Sequence, residues 1–319
     1  MRIGLDVSGG DFAPNSNLNG AIMAQKELPE SVRIVLIGEK EIITSYLNEE
    51  KTDPSLFDIV DAPDVIEMDE QPTKALNHKP NSSISVGFKL LKSKEIQAFA
   101  SAGSSGAMMV GSIYSVNTIQ GIIRPTTPAY VPKEKGGSNI LVDVGTNPDS
   151  KPEFLYQFGL LGSVFAQNVL KIKNPRVGLL NIGSEEKKGN LVTQSAYQLM
   201  KETKDFHFIG NVEGRDLFRD DVDVIVCDGF VGNIVLKQVE AMYRVFVKRG
   251  IKDDYLDRFN YENYGGVPIL GINSTVIVGH GISNGKAIRR MIHLAHEVYE
   301  ARLAQKIKHS LEEYSLNHN

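Results

Sequence analysis

The chain has little cysteine and no long apolar run. Of its 319 residues only Cys227 is a cysteine, which excludes an internal disulfide and a zinc site built from several cysteines. No apolar stretch approaches the roughly 18 residues that a membrane-spanning helix needs. The first residues, MRIGLDVSGGD, lead directly into a strand-like run, so we expect no signal peptide. These features predict a cytoplasmic protein that contacts membranes only at its surface.

Several functional signatures are also missing. The net charge is −4, and no basic stripe is interleaved with aromatic residues, so nucleic acid is not an expected partner. The sequence lacks the G-x-x-x-x-G-K-[ST] loop of many ATP-binding proteins and the G-x-S-x-G turn of serine hydrolases. It also lacks H-E-x-x-H, and its seven histidines show no metal spacing. We therefore expect neither a metal nor a cofactor.

One segment partly matches a dinucleotide-binding motif. GHGISNG, residues 279–285, follows the strand-like TVIV and precedes a helical pattern. Its spacing is G-x-G-x-x-x-G, and the chain ends in a helix where a Rossmann unit needs a second strand and an acidic residue. We therefore interpret GHGISNG as a ligand-facing turn.

Short apolar runs alternate with longer amphipathic segments along the whole chain. Because many of the runs lack a polar alternation, they are typical of strands buried on both faces. This pattern predicts an α/β fold of one domain over residues 1–319, which the loop-like segment 122–138 could divide into two lobes. The predicted strands are Arg2–Val7, Val32–Ile37, Phe57–Val60, Gln97–Ala100, Asn139–Val144, Arg176–Ile182, Phe206–Ile209, Val222–Cys227 and Thr275–Val278. The predicted helices are Ser16–Glu27, Ser82–Lys92, Ser104–Thr118, Pro152–Leu170, Asn190–Glu202, Asn233–Arg249 and Asn284–Lys308.

Glycines cluster where the predicted strands end. The barest of these turns is SAGSSGA, residues 101–107, which carries no charge and precedes a helix. Glycine at strand ends has an ordinary explanation, since it ends strands and permits close packing. Ligands of open α/β sheets, however, bind beside strand ends. Taken together, the turns favour a ligand-binding cleft.

Eight motifs, in this order, resemble the bacterial phosphate acyltransferases of phospholipid synthesis, the PlsX family. They are LDVSGGD (5–11), DVIEMDEQP (64–72), SAGSSGA (101–107), LVDVGTN (141–147), RVGLLNIGSEEKKGN (176–190), FIGNVEGRD (208–216), VCDGFVGNIVLK (226–237) and NYGGVPILGIN (263–273). The resemblance implies transfer of an acyl group from acyl-[acyl carrier protein] to inorganic phosphate, giving acyl phosphate. It also implies a three-layer α/β/α sandwich with a large mixed sheet, similar to isocitrate and isopropylmalate dehydrogenases, and a homodimer.

This reaction needs phosphate to be positioned and an oxyanion to be stabilised, without a nucleotide or a covalent acyl-enzyme. We assign phosphate or oxyanion binding to Gly103, Ser104, Ser105 and Gly106, at a predicted helix start, and to Lys188. His280 is the candidate proton donor, and Asp228 either orients it or caps a helix. Further candidates for the cleft are Asp6, Asn211, Glu213, Arg215 and Asn233. Cys227 is expected to be a small buried strand residue.

Residues 241–256 are a candidate membrane or dimer tip. Val245, Phe246 and Ile251 are the candidate membrane contacts, and they alternate with a basic cluster of Arg244, Lys248, Arg249 and Lys252. Since this part of the chain is shorter than in many members of the family, dimer contacts are the alternative. A second basic cluster, Lys286, Arg289 and Arg290, is the predicted docking face for the acidic carrier protein. The downstream membrane acyltransferase is a further candidate partner.

Two other functions remain as alternatives. One is a nicotinamide-dependent hydroxy-acid dehydrogenase of similar fold, which the missing ribose-binding acid argues against. The other is a catalytically silent scaffold at the membrane, which the intact cleft motifs argue against.

Overall fold

The computed structural model describes residues 1–318, as α-helices, β-strands and four short 3₁₀ helices. The strands are β1 Arg2–Asp6, β2 Arg33–Gly38, β3 Asp58–Asp61, β4 Ala98–Ser101, β5 Pro128–Pro132, β6 Ser138–Val142, β7 Arg176–Asn181, β8 His207–Glu213, β9 Val224–Val226, β10 Val267–Pro268 and β11 Thr275–Val278. The helices are α1 Asn15–Gln25, α2 Lys40–Glu49, α3 Pro72–His78, α4 Ser83–Lys92, α5 Ser105–Val116, α6 Pro152–Asn168, α7 Leu191–Lys201, α8 Gly229–Lys248, α9 Gly285–Glu300 and α10 Leu303–His318. The 3₁₀ helices are Pro54–Leu56, Gly214–Asp216, Leu256–Phe259 and Tyr261–Asn263.

The chain forms two compact units, and it passes between them more than once. The first unit consists of Met1–Thr118 and Tyr261–Glu300, and the second of Ile119–Asn260 with the segment that starts at Ala301. Each unit contains one mixed sheet. The predicted α/β fold is confirmed, with its strands divided between two mixed sheets.

The first unit has a six-stranded sheet in the order β10-β11-β4-β1-β2-β3. All neighbours are parallel except β10, which pairs antiparallel with β11 at the edge. Both faces are covered, since consecutive residues of β1, β2 and β4 are buried. Helix α1 packs against α9, and α4 packs against α5. Two helix glycines permit the close contacts: a Cβ atom at Gly20 would lie 2.5 Å from Ile288 Cβ, and one at Gly87 would lie 2.2 Å from the Phe99 ring.

The second unit has a five-stranded sheet in the order β5-β6-β9-β7-β8. Helix α6 lies on one face, where a Cβ atom at Gly162 would contact Val224 at 2.6 Å. On the other face Leu141 and Ile225 form a cluster against which Val235 of α8 packs. Both sheets therefore have their strands buried from two sides, which explains the apolar runs of the sequence.

Two predicted elements differ from the structure. The segment 122–138 contains the edge strand β5, antiparallel to β6, and its terminal prolines are tolerated because an edge strand needs fewer ladder donors. The predicted helix Asn284–Lys308 is two helices, α9 and α10, since Arg302 between them has a φ of 51°, which a helix cannot contain. Helices α2 and α3 and strand β10 were not predicted from the sequence.

Within the part of the chain that the structure describes, no helix combines the length and the apolar character needed to cross a bilayer.

Candidate functional site

A buried carboxylate organises the turns of the first unit. Asp6, at the end of β1, is inaccessible to solvent. Its Oδ1 accepts hydrogen bonds from the amides of Ser8 (3.0 Å) and Gly9 (3.1 Å), and its Oδ2 accepts one from the Ser101 hydroxyl (2.6 Å). Burial raises the pKa of Asp6, and these hydrogen bonds oppose that rise. Asp6 therefore joins the turn after β1 to the turn after β4.

Gly9 and Gly103 permit these two turns to touch. A Cβ atom at Gly9 would lie 2.7 Å from Gly103 Cα, closer than any side chain can approach. The Gly103 amide donates to the Ser101 hydroxyl at 2.9 Å, so it is already engaged inside the protein. Close packing thus explains Gly103, which the sequence analysis assigned to phosphate binding.

Helix α5 begins immediately afterwards. Ser104 is buried and its hydroxyl accepts from the Ala107 amide at 3.3 Å, so it caps the helix. Ser105 is exposed and Gly106 is half-buried. The amides of these two residues have no hydrogen-bond partner among residues 1–318. Within this turn, Ser105 and Gly106 therefore have amides at accessible positions that an anion could reach.

Gly106 is also constrained by packing. A Cβ atom there would lie 2.7 Å from Cγ of Pro72, the first residue of α3. A larger residue at position 106 would displace Pro72, so its effect on activity would not isolate anion binding.

His280 lies in the turn after β11, in the same unit. Because β11, β4 and β1 are neighbours in the sheet, the turns 279–283, 101–106 and 8–11 lie side by side, and we call them the turn cluster. The Asp11 amide donates to the Gly281 carbonyl at 2.7 Å and links two of these turns. His280 is exposed, and its ring meets the Tyr261 ring edge-on at 5.7 Å between centroids. The structure therefore brings Asp6, Ser105 and His280 to one edge of one sheet.

The second unit repeats the buried carboxylate. Asp143 follows β6 and is inaccessible to solvent. Its Oδ1 accepts from the Thr126 hydroxyl (2.6 Å) and the Thr127 amide (3.2 Å), while its Oδ2 accepts from the amide (2.6 Å) and side chain (3.0 Å) of Asn147. Asp143 was not among the site residues predicted from the sequence. The signal in the sequence was an acidic residue directly after the apolar run ILV and shortly before Gly145, a pattern similar to that at Asp6.

Asp228 caps a helix of the second unit. Its Oδ1 accepts from the Val231 amide at 2.8 Å, at the first turn of α8. The adjoining Gly229 is bonded in both directions to the Asp143 turn, through Gly145 and Asn147. Asn233 lies beside the same turn, since a Cβ atom at Gly145 would be 3.7 Å from its side chain. Asp228 was expected either to orient His280 or to cap a helix, and the structure supports capping. Asp228 and His280 belong to different units.

Cys227 is buried, as predicted. Its thiol lies 3.5 Å from the Asp143 carbonyl, and burial raises its pKa well above the ordinary value. A thiol in this environment stays protonated and is a poor nucleophile.

The remaining polar candidates lie at the ends of β7 and β8. Asn211 is buried and donates to the Glu185 carbonyl at 2.9 Å, so it fixes the turn 183–190. Lys188 on that turn is exposed, and its ammonium group lies 3.8 Å from the Glu185 carboxylate. Glu213 accepts from Arg215 at 2.7 Å and caps the 3₁₀ helix Gly214–Asp216. Both cations of this group are exposed, Lys188 to 50% and Arg215 to 77%, while Asn211 and Glu213 organise turns.

Along the long helix α8, Gly229 and Gly232 are buried, and the other residues are half-buried or exposed. Val245 and Ile251 are 47% and 44% exposed. Phe246 is half-buried and turns toward an apolar groove. Of the three candidate membrane contacts, two therefore face outward and one faces the groove.

The two basic clusters differ in their ion pairs. On α9, Arg289 pairs with Glu27 at 2.9 Å and Arg290 with Glu297 at 2.8 Å. On and after α8, Arg244 lies 3.9 Å from Glu240, while Lys248, Arg249 and Lys252 are exposed. Among the described residues, no group of three or more histidine, cysteine or acidic side chains is arranged to hold a metal ion.

Comparison with solved structures shows the fold. The chain is similar to EutD phosphotransacetylase from Staphylococcus aureus, with a TM-score of 0.63, 14% identity, and 93% of this chain and 94% of that chain covered. A phosphotransacetylase from Streptococcus pyogenes gives a TM-score of 0.64 at 14% identity, covering 94% of each chain. A 4-hydroxythreonine-4-phosphate dehydrogenase from Salmonella typhimurium, for which the solved structure is described as putative, gives 0.59 at 12% identity, covering 93% of this chain and 99% of that one.

Comparison with known sequences shows the family. A family model described as fatty acid synthesis protein matches residues 1–255. A phosphate acyltransferase of Dictyoglomus thermophilum is 39% identical over 330 residues, covering 98% of both chains. One of Heliobacterium modesticaldum is 44% identical over 318 residues, covering 93% of both. The chain therefore belongs to the phosphate acyltransferase family.

Proposed function

We propose that this enzyme transfers an acyl group from acyl-[acyl carrier protein] to inorganic phosphate, an early step of phospholipid synthesis. The proposal is supported by the family, whose relatives are named phosphate acyltransferase. The structural observation that carries it is the start of α5, where the amides of Ser105 and Gly106 and the exposed Ser105 hydroxyl adjoin the His280 turn. Phosphate is an oxygen nucleophile that needs such donors to be positioned.

The chemistry is a direct displacement. A phosphate oxygen attacks the thioester carbonyl carbon and forms the new C–O bond, the tetrahedral oxyanion collapses, and the C–S bond breaks. The thiolate of the carrier takes up a proton, for which His280 is the proposed donor. The helix start binds phosphate or the oxyanion. Lys188, in the second unit, stays a prediction as an additional anion ligand.

A two-part assay tests this function. The enzyme is incubated with acyl-[acyl carrier protein] and labelled phosphate, and acyl phosphate is expected as the product. A rapid quench with a radiolabelled acyl donor should leave no label on the protein, because Cys227 is buried and its pKa is raised. Stable label on Cys227 or on a serine would refute the direct route, and failure to form acyl phosphate would refute the function.

The two alternative functions have distinct tests. Saturable binding of a nicotinamide nucleotide, together with turnover of a hydroxy acid, would support the dehydrogenase. The chain shares its fold with a solved dehydrogenase at only 12% identity. Vesicle recruitment without any acyl transfer would support the scaffold.

We also propose the acyl carrier protein as a docking partner. The α9 cluster was the predicted docking face, but Arg289 and Arg290 are offset by acidic partners within the unit. Lys286 is exposed, as are Lys248 and Lys252 near the end of α8. Charge reversal at Lys286 should lower kcat/KM for the carrier substrate in low salt if α9 is the docking face. The same loss from Lys252→Glu alone would move the face to α8.

A homodimer and reversible membrane contact are proposed for the end of α8. Outward apolar side chains such as Val245 and Ile251 lie among exposed cations, a combination suited to an anionic interface. Wild type should float with anionic vesicles at low salt and dissociate as salt rises. Val245→Glu should lose flotation while keeping activity toward soluble substrate. If this variant instead becomes monomeric, Val245 forms a subunit contact. Contact with the downstream membrane acyltransferase is a further proposal, tested by co-flotation.

A further inference from the structure

Residues 68–72 of the first unit lie against both parts of the proposed reaction site, and no step of the proposed chemistry uses them. At the start of this segment the Met68 methyl contacts the turn after β11, since a Cβ atom at Gly281 would lie 2.6 Å from Met68 Cε. At its end Pro72 contacts the start of α5, since a Cβ atom at Gly106 would lie 2.7 Å from Pro72 Cγ. The segment therefore connects the turn of the proposed proton donor with the proposed phosphate ligands.

The backbone that carries Met68 is anchored by a lysine of α3. The Lys79 ammonium group donates to the Val65 carbonyl at 2.7 Å and to the Glu70 carboxylate at 2.5 Å, so it binds the chain on both sides of Met68. The same carboxylate accepts from the Glu67 amide at 2.8 Å and closes the loop between them. The position of Met68 over the turn is thus fixed by contacts that lie outside the turn cluster.

Met68 is one of three exposed apolar residues beside the turn cluster. Its side chain is 50% exposed, while those of Phe12 and Ile282 are 55% and 47% exposed. Phe12 directly follows the turn 8–11, and Ile282 lies within the turn 279–283. Single exposed apolar side chains are ordinary, but a group of them beside polar turns indicates a functional surface. Of the three, Met68 comes from outside the turn cluster and has a defined contact on it.

The proposed reaction has one ubiquitous competitor, which is water. A water oxygen can attack the same thioester carbonyl carbon and form a C–O bond while the C–S bond breaks. The carrier thiolate then takes up one proton, a second proton passes to solvent, and the acyl group leaves as a fatty acid. His280 is exposed and protonates the same leaving group in either reaction, so it does not favour phosphate over water. That preference has to come from groups that bind phosphate and from groups that exclude water.

We propose that Met68 is a specificity-determining residue, whose side chain keeps water away from the reacting carbonyl carbon at the His280 turn and so favours phosphate as the acyl acceptor. The proposal rests on the proposed function, which supplies the thioester. Phosphate stays competitive because the amides of Ser105 and Gly106 are proposed to bind it, whereas water has no such anchor. An unbranched thioether suits this role, since it follows an irregular surface closely and offers water only a weak acceptor.

The test measures how acyl groups divide between acyl phosphate and free fatty acid. Met68→Ala should raise the fatty-acid fraction by roughly fivefold or more, the factor that corresponds to about 1 kcal/mol, with an unchanged KM for phosphate. Met68→Leu should keep the wild-type division, because it retains an apolar side chain of similar volume. Leu56→Ala is the matched control, since Leu56 is 46% exposed in the same unit and lies in the 3₁₀ helix Pro54–Leu56, and it should change nothing.

The two products are separated chemically. An early quench with hydroxylamine converts acyl phosphate into a hydroxamate and leaves the fatty acid unchanged. Preformed acyl phosphate is incubated with each variant, so that hydrolysis of the product is counted apart from hydrolysis of the thioester.

A second variant displaces the same methyl group while Met68 itself is kept. The Cβ atom of Gly281→Ala would crowd Met68 Cε, and the φ of Gly281 lies outside the left-handed region, so this φ does not strain alanine. Gly281→Ala should therefore raise fatty-acid release. It should add nothing in the double variant with Met68→Ala, because both changes act through one contact.

Several results would overturn the proposal. They are equal effects of Met68→Ala and Leu56→Ala, a lower total rate with an unchanged division of products, and additive effects in the double variant. If the melting curve shows that Met68→Ala is unfolded, Met68→Gln takes its place, since it keeps the length of the side chain and binds water at its end. Met68→Gln should also raise fatty-acid release, and an unchanged division in this variant would equally overturn the proposal. Absence of acyl phosphate with the wild-type enzyme would refute the proposed function instead.

Discussion

Replacing Asp6 by asparagine should separate the anchoring of the turn cluster from general stability. An asparagine oxygen can still accept the Ser8 and Gly9 amides. Its NH₂ group then faces the Ser101 hydroxyl, which donates to Asp6 and accepts from Gly103. The hydroxyl hydrogen loses its acceptor, and the contact that joins the turns of β1 and β4 is weakened.

The magnitude follows from that single contact. A hydrogen bond to a charged group contributes about 1.5–3 kcal/mol, so the free energy of unfolding should fall by at most about that amount. Part of the loss is offset, because burial raises the pKa of Asp6 and removing the charge relieves that cost. We expect a net loss of about 1–2 kcal/mol. Asp6→Ala leaves every donor without an acceptor and should cost more.

The functional consequence is a change in phosphate binding. The turn that holds Gly103 leads directly into the start of α5, where Ser105 is proposed to bind phosphate. The KM for phosphate should therefore rise roughly tenfold or more, the equivalent of about 1.4 kcal/mol. Urea unfolding gives the stability, and initial rates at varied phosphate give the KM.

Asp58 supplies the matched control. It lies on the same sheet at the amino end of the strands, where it pairs with Arg2 at 2.8 Å and Arg33 at 3.0 Å. Asp58→Asn should lower stability without changing the KM for phosphate. If the two variants shift this KM equally, Asp6 acts only through overall stability and the positioning argument fails.

Three further predictions concern other parts of the chain. Burial raises the pKa of Asp223, but hydrogen bonds from its two cationic partners outweigh burial and hold this pKa at about 2. The ionised carboxylate therefore stabilises the fold by about 2 kcal/mol above pH 4, and this stabilisation is lost as the pH falls toward 2. Asp223→Asn should flatten the acid limb of unfolding curves, and an unchanged limb would contradict this. His280→Ala should slow turnover by roughly a hundredfold while the melting curve is kept, and near-normal turnover would make the ring structural. Gly20→Ala should lower stability by about 1–3 kcal/mol through its clash with Ile288, whereas Gly214→Ala, with open space around it, should not; equal effects would refute the packing argument.

The strands of both sheets were predictable because parallel strands buried on two faces leave uninterrupted apolar runs. Strand β5 was not, since its two prolines are compatible with a strand only at a sheet edge, and the edge is a property of the assembled sheet. The break before α10 depends on the backbone of Arg302, an ordinary helix-forming residue by type.

The candidate site was predictable as a set of turns and less so as individual contacts. SAGSSGA and GHGISNG were located correctly at neighbouring strand ends. Whether Gly103 serves a ligand or a neighbour depends on Gly9, which lies 94 positions away in the sequence and packs against it. Asp143 was missed because an acid after an apolar strand is ordinary in sequence, and its four donors become apparent only in three dimensions.

The interleaved course of the chain sets an order of events during synthesis. Residues 1–118 emerge first, but their sheet lacks β11, which covers one side of β4, and α1 lacks α9. The remaining 182 residues up to Glu300 need about 9–36 s at bacterial elongation rates of about 5–20 residues per second. Throughout that interval the β4 edge and the α1 face are open to association with other nascent chains. The first unit therefore has to wait for residues 261–300, and slow translation or truncation within the intervening segment should favour its capture by chaperones.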